Sequence, residues 1–182
     1  YTTLFRSSTI AAASGASLSI SGVISGAYNL TKSDAGTVTL SGSNTYTGTT
    51  NITDGILRAT NATALGPVNS SAVTVGSSGT LDVSATIGAK PVSLNGGVIT
   101  TTVDGSSLSG AITLGANSTV SASAGMTLTL SGVMSGSAYA ITKSGAGTVE
   151  PSCAPLITIA VPSFNQGRYL EQTLSSIFAQ AL

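Results

Sequence analysis

The chain has 182 residues, which is enough for one ordinary domain or for a piece of a longer protein. Its six basic and six acidic residues balance, and this excludes a basic nucleic-acid-binding surface and a polybasic membrane patch. The absence of His excludes a Ser-His-Asp triad, and a single cysteine excludes an intramolecular disulfide framework. We therefore expect no catalysis, no cofactor and no metal site.

The first seven residues, YTTLFRS, differ in character from the sequence that follows. They resemble the translation of a widely used sequencing adapter, so residues 1–7 are expected to be an artefact. The alternative is a genuine strand around residues 3–5. On either interpretation no function is assigned to Phe5 or Arg6.

Residues 30–67 contain short pieces in which apolar and hydroxyl side chains alternate, at residues 37–40, 50–53 and 56–58. Such alternation places one set of side chains inward and the other outward on a β-strand. Ser-Gly, Thr-Gly and Asp-Gly pairs separate the pieces and supply the backbone freedom that a turn requires. The pattern predicts short strands joined by tight corners.

A long internal repeat relates residues 15–38 to residues 125–149. The offset is 110 residues as far as Gly136 and 111 after the extra Ser137. Self-similarity of this kind indicates a repeat architecture, with coils of about 20 to 30 residues. We predict an all-β solenoid of about six stacked coils over residues 8–150.

The same strand rhythm continues between the two copies. Candidate strands lie at residues 72–75, 80–83, 92–94, 98–100, 111–114 and 126–130, and candidate turns at residues 76–79, 95–97, 104–105 and 115–117.

The composition changes after Glu150. Residues 156–161 form an apolar run that Pro162 ends, which is typical of a buried parallel strand. Apolar residues between Tyr169 and Ala181 follow helical spacing. We expect residues 151–182 to form a β-strand and an α-helix, separate from the solenoid.

Residues 30–67 resemble the strand repeat of bacterial autotransporter passenger domains, and residues 44–48, NTYTG, are the most distinctive part. The resemblance implies a right-handed parallel β-solenoid at the surface of a Gram-negative-type cell, or secreted from it. It implies a structural, adhesin-like stalk without catalysis, whose partner is a host or bacterial surface ligand. A signal peptide and an outer-membrane barrel are then expected elsewhere in the parent protein.

Residues 155–182 resemble the N-terminus of a family 2 (GT-A type) glycosyltransferase, through Pro162-Ser163-Phe164-Asn165 and the helix ending at Gln180. The resemblance implies a cytoplasmic parent that uses a nucleotide sugar. Pro162, Ser163, Phe164 and Asn165 would lie at its base, with Phe164 stacking on it. The family's acidic metal-binding motif and catalytic base are absent from this chain, so we interpret the tail as a truncated fragment joined by chimeric assembly.

Three functions therefore remain open: a passenger stalk, a truncated glycosyltransferase, and a pectate-lyase-like solenoid enzyme. The third needs acidic clusters, whereas Asp34, Asp54, Asp82 and Asp104 are isolated and are expected in turns and on the surface. The repeat-equivalent Tyr28 and Tyr139 are expected to pack at the same position of two coils, rather than to form a ligand platform.

Overall fold

The computed structural model describes residues 7–151. The adapter-like residues 1–6, Cys153 and the predicted strand, helix and nucleotide-sugar residues of the tail (Pro162, Ser163, Phe164 and Asn165) lie outside the described residues. Within residues 7–151 the chain forms sixteen β-strands and no helix.

In chain order the strands are β1 (Ser7–Ala11), β2 (Ser17–Ile20), β3 (Asn29–Ser33), β4 (Thr37–Leu40), β5 (Thr50–Ala59), β6 (Val73–Val83), β7 (Thr86–Ile87), β8 (Val92–Asn95), β9 (Val98–Thr100), β10 (Ser106–Leu108), β11 (Ile112–Ala116), β12 (Ser118–Ser121), β13 (Thr127–Leu130), β14 (Met134–Ser135), β15 (Ile141–Ser144) and β16 (Thr148–Pro151).

The strands stack in parallel on three faces of a solenoid. The first face runs β1, β3, β5, β6, β8, β11, β14. The second runs β2, β4, β5, β6, β9, β12, β15, because β5 and β6 bend across two faces. The third runs β7, β10, β13, β16. The predicted parallel β-solenoid is confirmed, with about seven coils rather than six.

The extra coil arises because each coil is short. Leu30, Thr50, Val73, Val92, Ile112 and Met134 occupy the same position of successive coils, so the coils are 19 to 23 residues long. The predicted turn at residues 76–79 is also wrong, since those residues lie inside β6. Strand β5 likewise joins two predicted strands, with a register shift between Ile52 and Asp54 marking the bend.

Alternation within each strand builds the core. In β4 the side chains of Val38 and Leu40 are fully buried, whereas Thr37 and Thr39 are only partly covered. The same pattern in the other strands fills the interior with Val, Leu and Ile, which suits a narrow space between three sheets.

The two copies of the internal repeat lie on different faces. Strand β3 is on the first face, but its sequence equivalent β15 is on the second. Strands β2 and β4 are on the second face, and their equivalents β13 and β16 are on the third. The second copy is therefore turned by one face around the solenoid axis.

The corner of the repeat keeps its conformation despite this turn. Asp34 and its equivalent Gly145 both have positive φ, at 63° and 72°. The Lys32 Nζ donates to the Asp34 carbonyl over 2.6 Å, and the Lys143 Nζ donates to the Gly145 carbonyl over 2.5 Å. The corner is thus set by its local sequence and not by the face on which it lies.

Gly22 and Gly42 lie one coil apart, and substitution of each glycine tests how closely the two coils pack. A Cβ on Gly42 would overlap the Gly22 carbonyl oxygen, whereas a Cβ on Gly22 would meet no atom within 4 Å. We expect Gly42→Ala to lower the free energy of unfolding by about 1–3 kcal/mol through overpacking. Gly22→Ala is the matched control and should change it by less than about 0.5 kcal/mol. Denaturant unfolding measures both, and equal effects would contradict the proposed steric cause.

Candidate functional site

The most distinctive stretch of the sequence, residues 44–48, lies on the third face of the second coil. Asn44, Tyr46 and Gly48 are buried, and Thr45 and Thr47 are exposed. The stretch adopts this alternation between two well-formed strands, β4 and β5, without being a strand itself. We call residues 44–48 the clamp, because of the bonds that they make to the neighbouring coils.

The Asn44 side chain ties three consecutive coils together. Its Oδ1 accepts a hydrogen bond from the Ile24 N–H over 2.8 Å, and its Nδ2 donates to the Ala64 carbonyl over 2.6 Å. Asn44 is 2% exposed, so both bonds are shielded from water. A side-chain amide can both accept and donate hydrogen bonds. Asn44 therefore provides a partner for one backbone N–H and one backbone carbonyl that are not paired within a strand ladder.

Tyr46 and Gly48 complete the clamp. The Tyr46 hydroxyl lies 2.7 Å from the Thr50 Oγ1, and burial raises the pKa of Tyr46 to about 12, although the bond to Thr50 opposes this shift. Backbone N–H groups of Thr45 and Tyr46 both donate to the Ile24 carbonyl. At Gly48 a Cβ would overlap the Tyr28 carbonyl, so only glycine fits. The clamp thus bonds the second coil to the coils on either side of it.

Two buried lysines stabilise corners. The Lys32 Nζ donates to the Ser33 carbonyl over 2.8 Å and to the Asp54 carbonyl, one coil further, over 3.0 Å. The Lys90 Nζ lies 2.5 Å from the Ser70 Oγ and 3.5 Å from the Pro67 carbonyl. Both side chains are at most 1% exposed. In each corner the ammonium group therefore lies within hydrogen-bonding distance of a backbone carbonyl of a neighbouring coil.

Burial lowers the pKa of both lysines. For Lys32, desolvation outweighs the attraction of Asp54 and Asp34, which acts in the opposite direction. For Lys90, desolvation lowers the pKa from 10.5 to about 8, and among residues 7–151 no carboxylate contacts its Nζ. The sequence alone did not reveal these two residues, because a lysine side chain ordinarily faces solvent.

One predicted acidic residue lies in an unexpected place. Asp82 was expected at a turn or on the surface, but it is 1% exposed. It pairs with Arg58 on the neighbouring coil, with the Arg58 Nε 2.7 Å from the Asp82 Oδ2. Ser84 Oγ and Thr102 Oγ1 donate to the same carboxylate over 2.8 and 3.2 Å. Arg58 is 37% exposed and Thr102 is exposed, so Asp82 is buried because the side chains around it cover it, and the three donors offset the loss of water.

The other aspartates serve the backbone. Asp54 Oδ1 accepts from the Gly55 N–H over 2.7 Å, and Asp104 Oδ1 accepts from the Thr127 N–H over 2.9 Å. Asp34 occupies the left-handed corner described above. Among residues 7–151 no group of three or more acidic, His or Cys residues could hold a metal ion.

Exposed apolar side chains recur in both copies of the repeat. Val23 and its equivalent Val133 are 64% and 65% exposed, and Tyr28 and Tyr139 are 37% and 45% exposed. Since the copies are turned relative to each other, these pairs point to different sides. Tyr28 packs over Gly26, where an added Cβ would lie 3.1 Å from its Cδ2. In residues 7–151 no helix is long and apolar enough to cross a membrane.

Removal of the Asn44 amide provides a test of the clamp. We expect Asn44→Ala to lower the free energy of unfolding by about 2–4 kcal/mol, because the Ile24 N–H and the Ala64 carbonyl both lose a buried partner. The control is Thr45→Ala, since its side chain is exposed. Chemical denaturation compares the two variants. A loss no larger for Asn44→Ala than for the control would show that the amide does not hold the coils.

The lysine pKa values predict a pH dependence of stability. The unfolded chain holds the Lys90 proton up to pH about 10.5, whereas the folded chain releases it near pH 8. The unfolded state therefore binds more protons in this window, and the free energy of unfolding should rise from pH 8 to pH 10. Lys32 contributes in the same direction. Above its ordinary pKa of 10.0, Tyr46 acts in the opposite sense because its folded pKa is raised.

Lys90→Met should flatten this rise, and Lys143→Met, at an exposed position, should leave it intact. Urea denaturation at half-unit pH steps between pH 8 and pH 10 measures the slope. A curve of the same slope for Lys90→Met and the unsubstituted chain would rule out Lys90 as the titrating group.

Comparison with known proteins identifies the repeat. Residues 30–59, from β3 to the end of β5, match the family model described as Passenger-associated-transport-repeat. The chain is 38% identical over 132 residues to a protein named adhesin BmaC autotransporter from Brucella suis biovar 1 (strain 1330). That match covers 72% of this chain and 3% of the relative's length. No solved structure matches the chain. The repeat at residues 30–59 is therefore an autotransporter passenger repeat, folded here as part of a parallel β-solenoid.

Proposed function

We propose that the chain is a segment of an exported bacterial autotransporter passenger, which acts as a structural, adhesin-like stalk at the cell surface or in secreted form. The observation that carries this proposal is the stack of about seven parallel coils, in which the passenger repeat supplies the inter-coil bonds. The matched relative carries the name of an adhesin autotransporter, and this chain spans 3% of its length.

The mechanism is geometric. Strand spacing of about 4.8 Å per coil makes the described stack about 30 Å tall. Each coil is bonded along its length to the next, so that length and stiffness come from the same backbone bonds. Hydroxyl-bearing side chains such as Thr45 and Thr47 cover the outside. In the parent, an outer-membrane barrel would anchor the stalk, and a host or bacterial surface ligand would be its partner.

The exposed residues Val23 and Val133 are the positions at which an adhesive role, in addition to spacing, can be tested. Each is nearly two-thirds exposed, and each belongs to a repeated corner that presents it outward. Single exposed apolar side chains are ordinary on protein surfaces, so it is the recurrence of this valine in both copies that makes it the position to test for ligand contact. The assignment of Pro162, Ser163, Phe164 and Asn165 to a truncated glycosyltransferase, joined as a chimera, stays a prediction.

Surface display tests the proposal. The 182-residue chain would be placed between a signal peptide with an epitope tag and an autotransporter barrel in a Gram-negative host. We expect antibody to reach the tag on intact cells, and we expect a protease-resistant core that contains the solenoid. The matched variant Asn44→Ala should reduce the resistant fraction, while Thr45→Ala should preserve it.

Retention of the tag inside the cell, or equal protease resistance of both variants, would contradict a stalk held by the clamp. Adhesion of the same cells to epithelial cells separates the two roles. A loss in Val23→Ser/Val133→Ser at unchanged surface level would indicate an adhesin. Adhesion no greater than that of cells displaying the barrel alone would indicate a spacer.

A further inference from the structure

The last described coil presents an open edge. Strand β14 pairs with β11, β15 with β12 and β16 with β13, and no described strand lies on their other side. Beneath that edge lies an apolar surface formed by Val120, Leu130, Met134, Ile141, Val149 and Pro151, with Lys143 beside it. We call this surface, with the free edges of β14, β15 and β16, the end surface.

The first copy of the repeat shows what covers such a surface. Within the repeat, the equivalents of Leu130, Met134, Ile141 and Val149 are Ile20, Ile24, Leu30 and Val38. In that copy residues 41–59 lie on the edge as the next coil. Leu57 stands opposite Val38, and Ile52 stands opposite Lys32. Covered in this way, Val38 is fully buried, whereas its equivalent Val149 is only half-buried.

The polar groups of the edge also have counterparts. In the first copy the Ile24 N–H donates to the Asn44 Oδ1, and the Gly26 carbonyl accepts from the Thr47 N–H over 2.9 Å. The equivalent groups on the end surface are the Met134 N–H and the Gly136 carbonyl. Their residues have the same backbone bend, since Gly26 and Gly136 have φ of 109° and 124°. The edge therefore offers the same donor at Met134, whereas the Gly136 carbonyl also accepts from the Tyr139 N–H over 3.0 Å, in the turn that contains the extra Ser137.

The corner lysine gives an independent indication. Lys32 makes three bonds, to the carbonyls of Ser33 and Asp34 in its own corner and to that of Asp54 in the covering coil. Lys143 is exposed, and its Nζ makes the bond within its own corner, to the Gly145 carbonyl. The Lys143 ammonium group has three N–H donors, so it could also donate to a backbone carbonyl of a covering coil. The Lys32 carbonyl also accepts from the Thr53 Oγ1, and the Lys143 carbonyl is its equivalent.

We propose that the end surface is a docking surface for a polypeptide segment with the chemistry of residues 41–59, namely Asn-Thr-Tyr-Thr-Gly followed by two strands carrying Ile and Leu. The Asn amide would accept from the Met134 N–H, the Tyr ring would enter beside Met134, and the Leu would cover Val149. The mode of binding is strand addition, in which backbone bonds give affinity and side-chain positions give selectivity. This proposal does not depend on the surface-stalk function.

The one-face turn of the second copy does not prevent this docking. The bonds that hold residues 41–59 in the first copy start from the repeat's own backbone, from Lys32 and from the Asn29 Oδ1, which accepts from the Thr49 N–H over 2.9 Å. The first two have equivalents in the second copy, whereas Ala140 stands in place of Asn29. The same corner forms on the next face and keeps the bond from the lysine Nζ to the carbonyl of the residue with positive φ. The incoming segment would therefore meet an equivalent edge, turned around the axis.

The test uses a fluorescently labelled peptide of residues 41–59 and the full 182-residue chain. Anisotropy should show saturable binding, and hydrogen exchange should slow at amides of residues 134–149 but not of residues 7–20. A matched pair of chain variants follows from strand alternation. Val149→Lys places a charge on the end surface and should weaken binding at least about tenfold, and Thr148→Lys, on the outward side, should not.

A matched pair of peptides completes the design. The peptide with Asn44→Ala should bind at least about tenfold more weakly than the one with Thr45→Ala, since the amide at residue 44 takes the Met134 N–H. The proposal is overturned by absence of saturable binding, by equal affinity of the Val149→Lys and Thr148→Lys chains, or by protection at residues 7–20 instead. Equal binding of a scrambled peptide would also overturn it.

Discussion

The whole structure depends on one constraint, which is that each coil must approach the coil beneath it closely enough for backbone hydrogen bonding on three faces. Strands meet this constraint without difficulty, but corners bring carbonyl groups of one coil under the Cα atoms of the next. At Gly42 and Gly48 there is no space for a Cβ above the carbonyl below. The high glycine content, 22 residues, therefore follows from stacking as much as from turning.

The same constraint explains the few buried polar side chains. Where the chain rounds a corner, its backbone groups leave the ladder and require other partners. Asn44 supplies them between three coils, and Lys32 and Lys90 supply them at two further corners. The lowered pKa values of the lysines show that this arrangement opposes their charged form. Two of the six basic residues are thus used inside the molecule rather than at its surface.

Sequence reasoning recovered the parts of the fold that depend on alternation. Strand β4 has the predicted bounds, and the parallel stacking followed from the repeat and from the passenger resemblance. The continuous β6 could not be predicted, because the glycines at residues 76 and 79 indicate a turn as readily as a bend within a strand. The roles of Asn44 and Lys90 depend on groups about 20 residues away in sequence, and alternation carries no information about such contacts.

The turn between the two repeat copies affects how a longer assembly of such copies would look from outside. The offset of 110 to 111 residues corresponds to five coils and one further face, so equivalent side chains such as Val23 and Val133 follow a slow screw around the axis. Within the described residues the two copies therefore present Val23 and Val133 in two different directions around the axis, so that one repeated side chain is not confined to a single side of the solenoid.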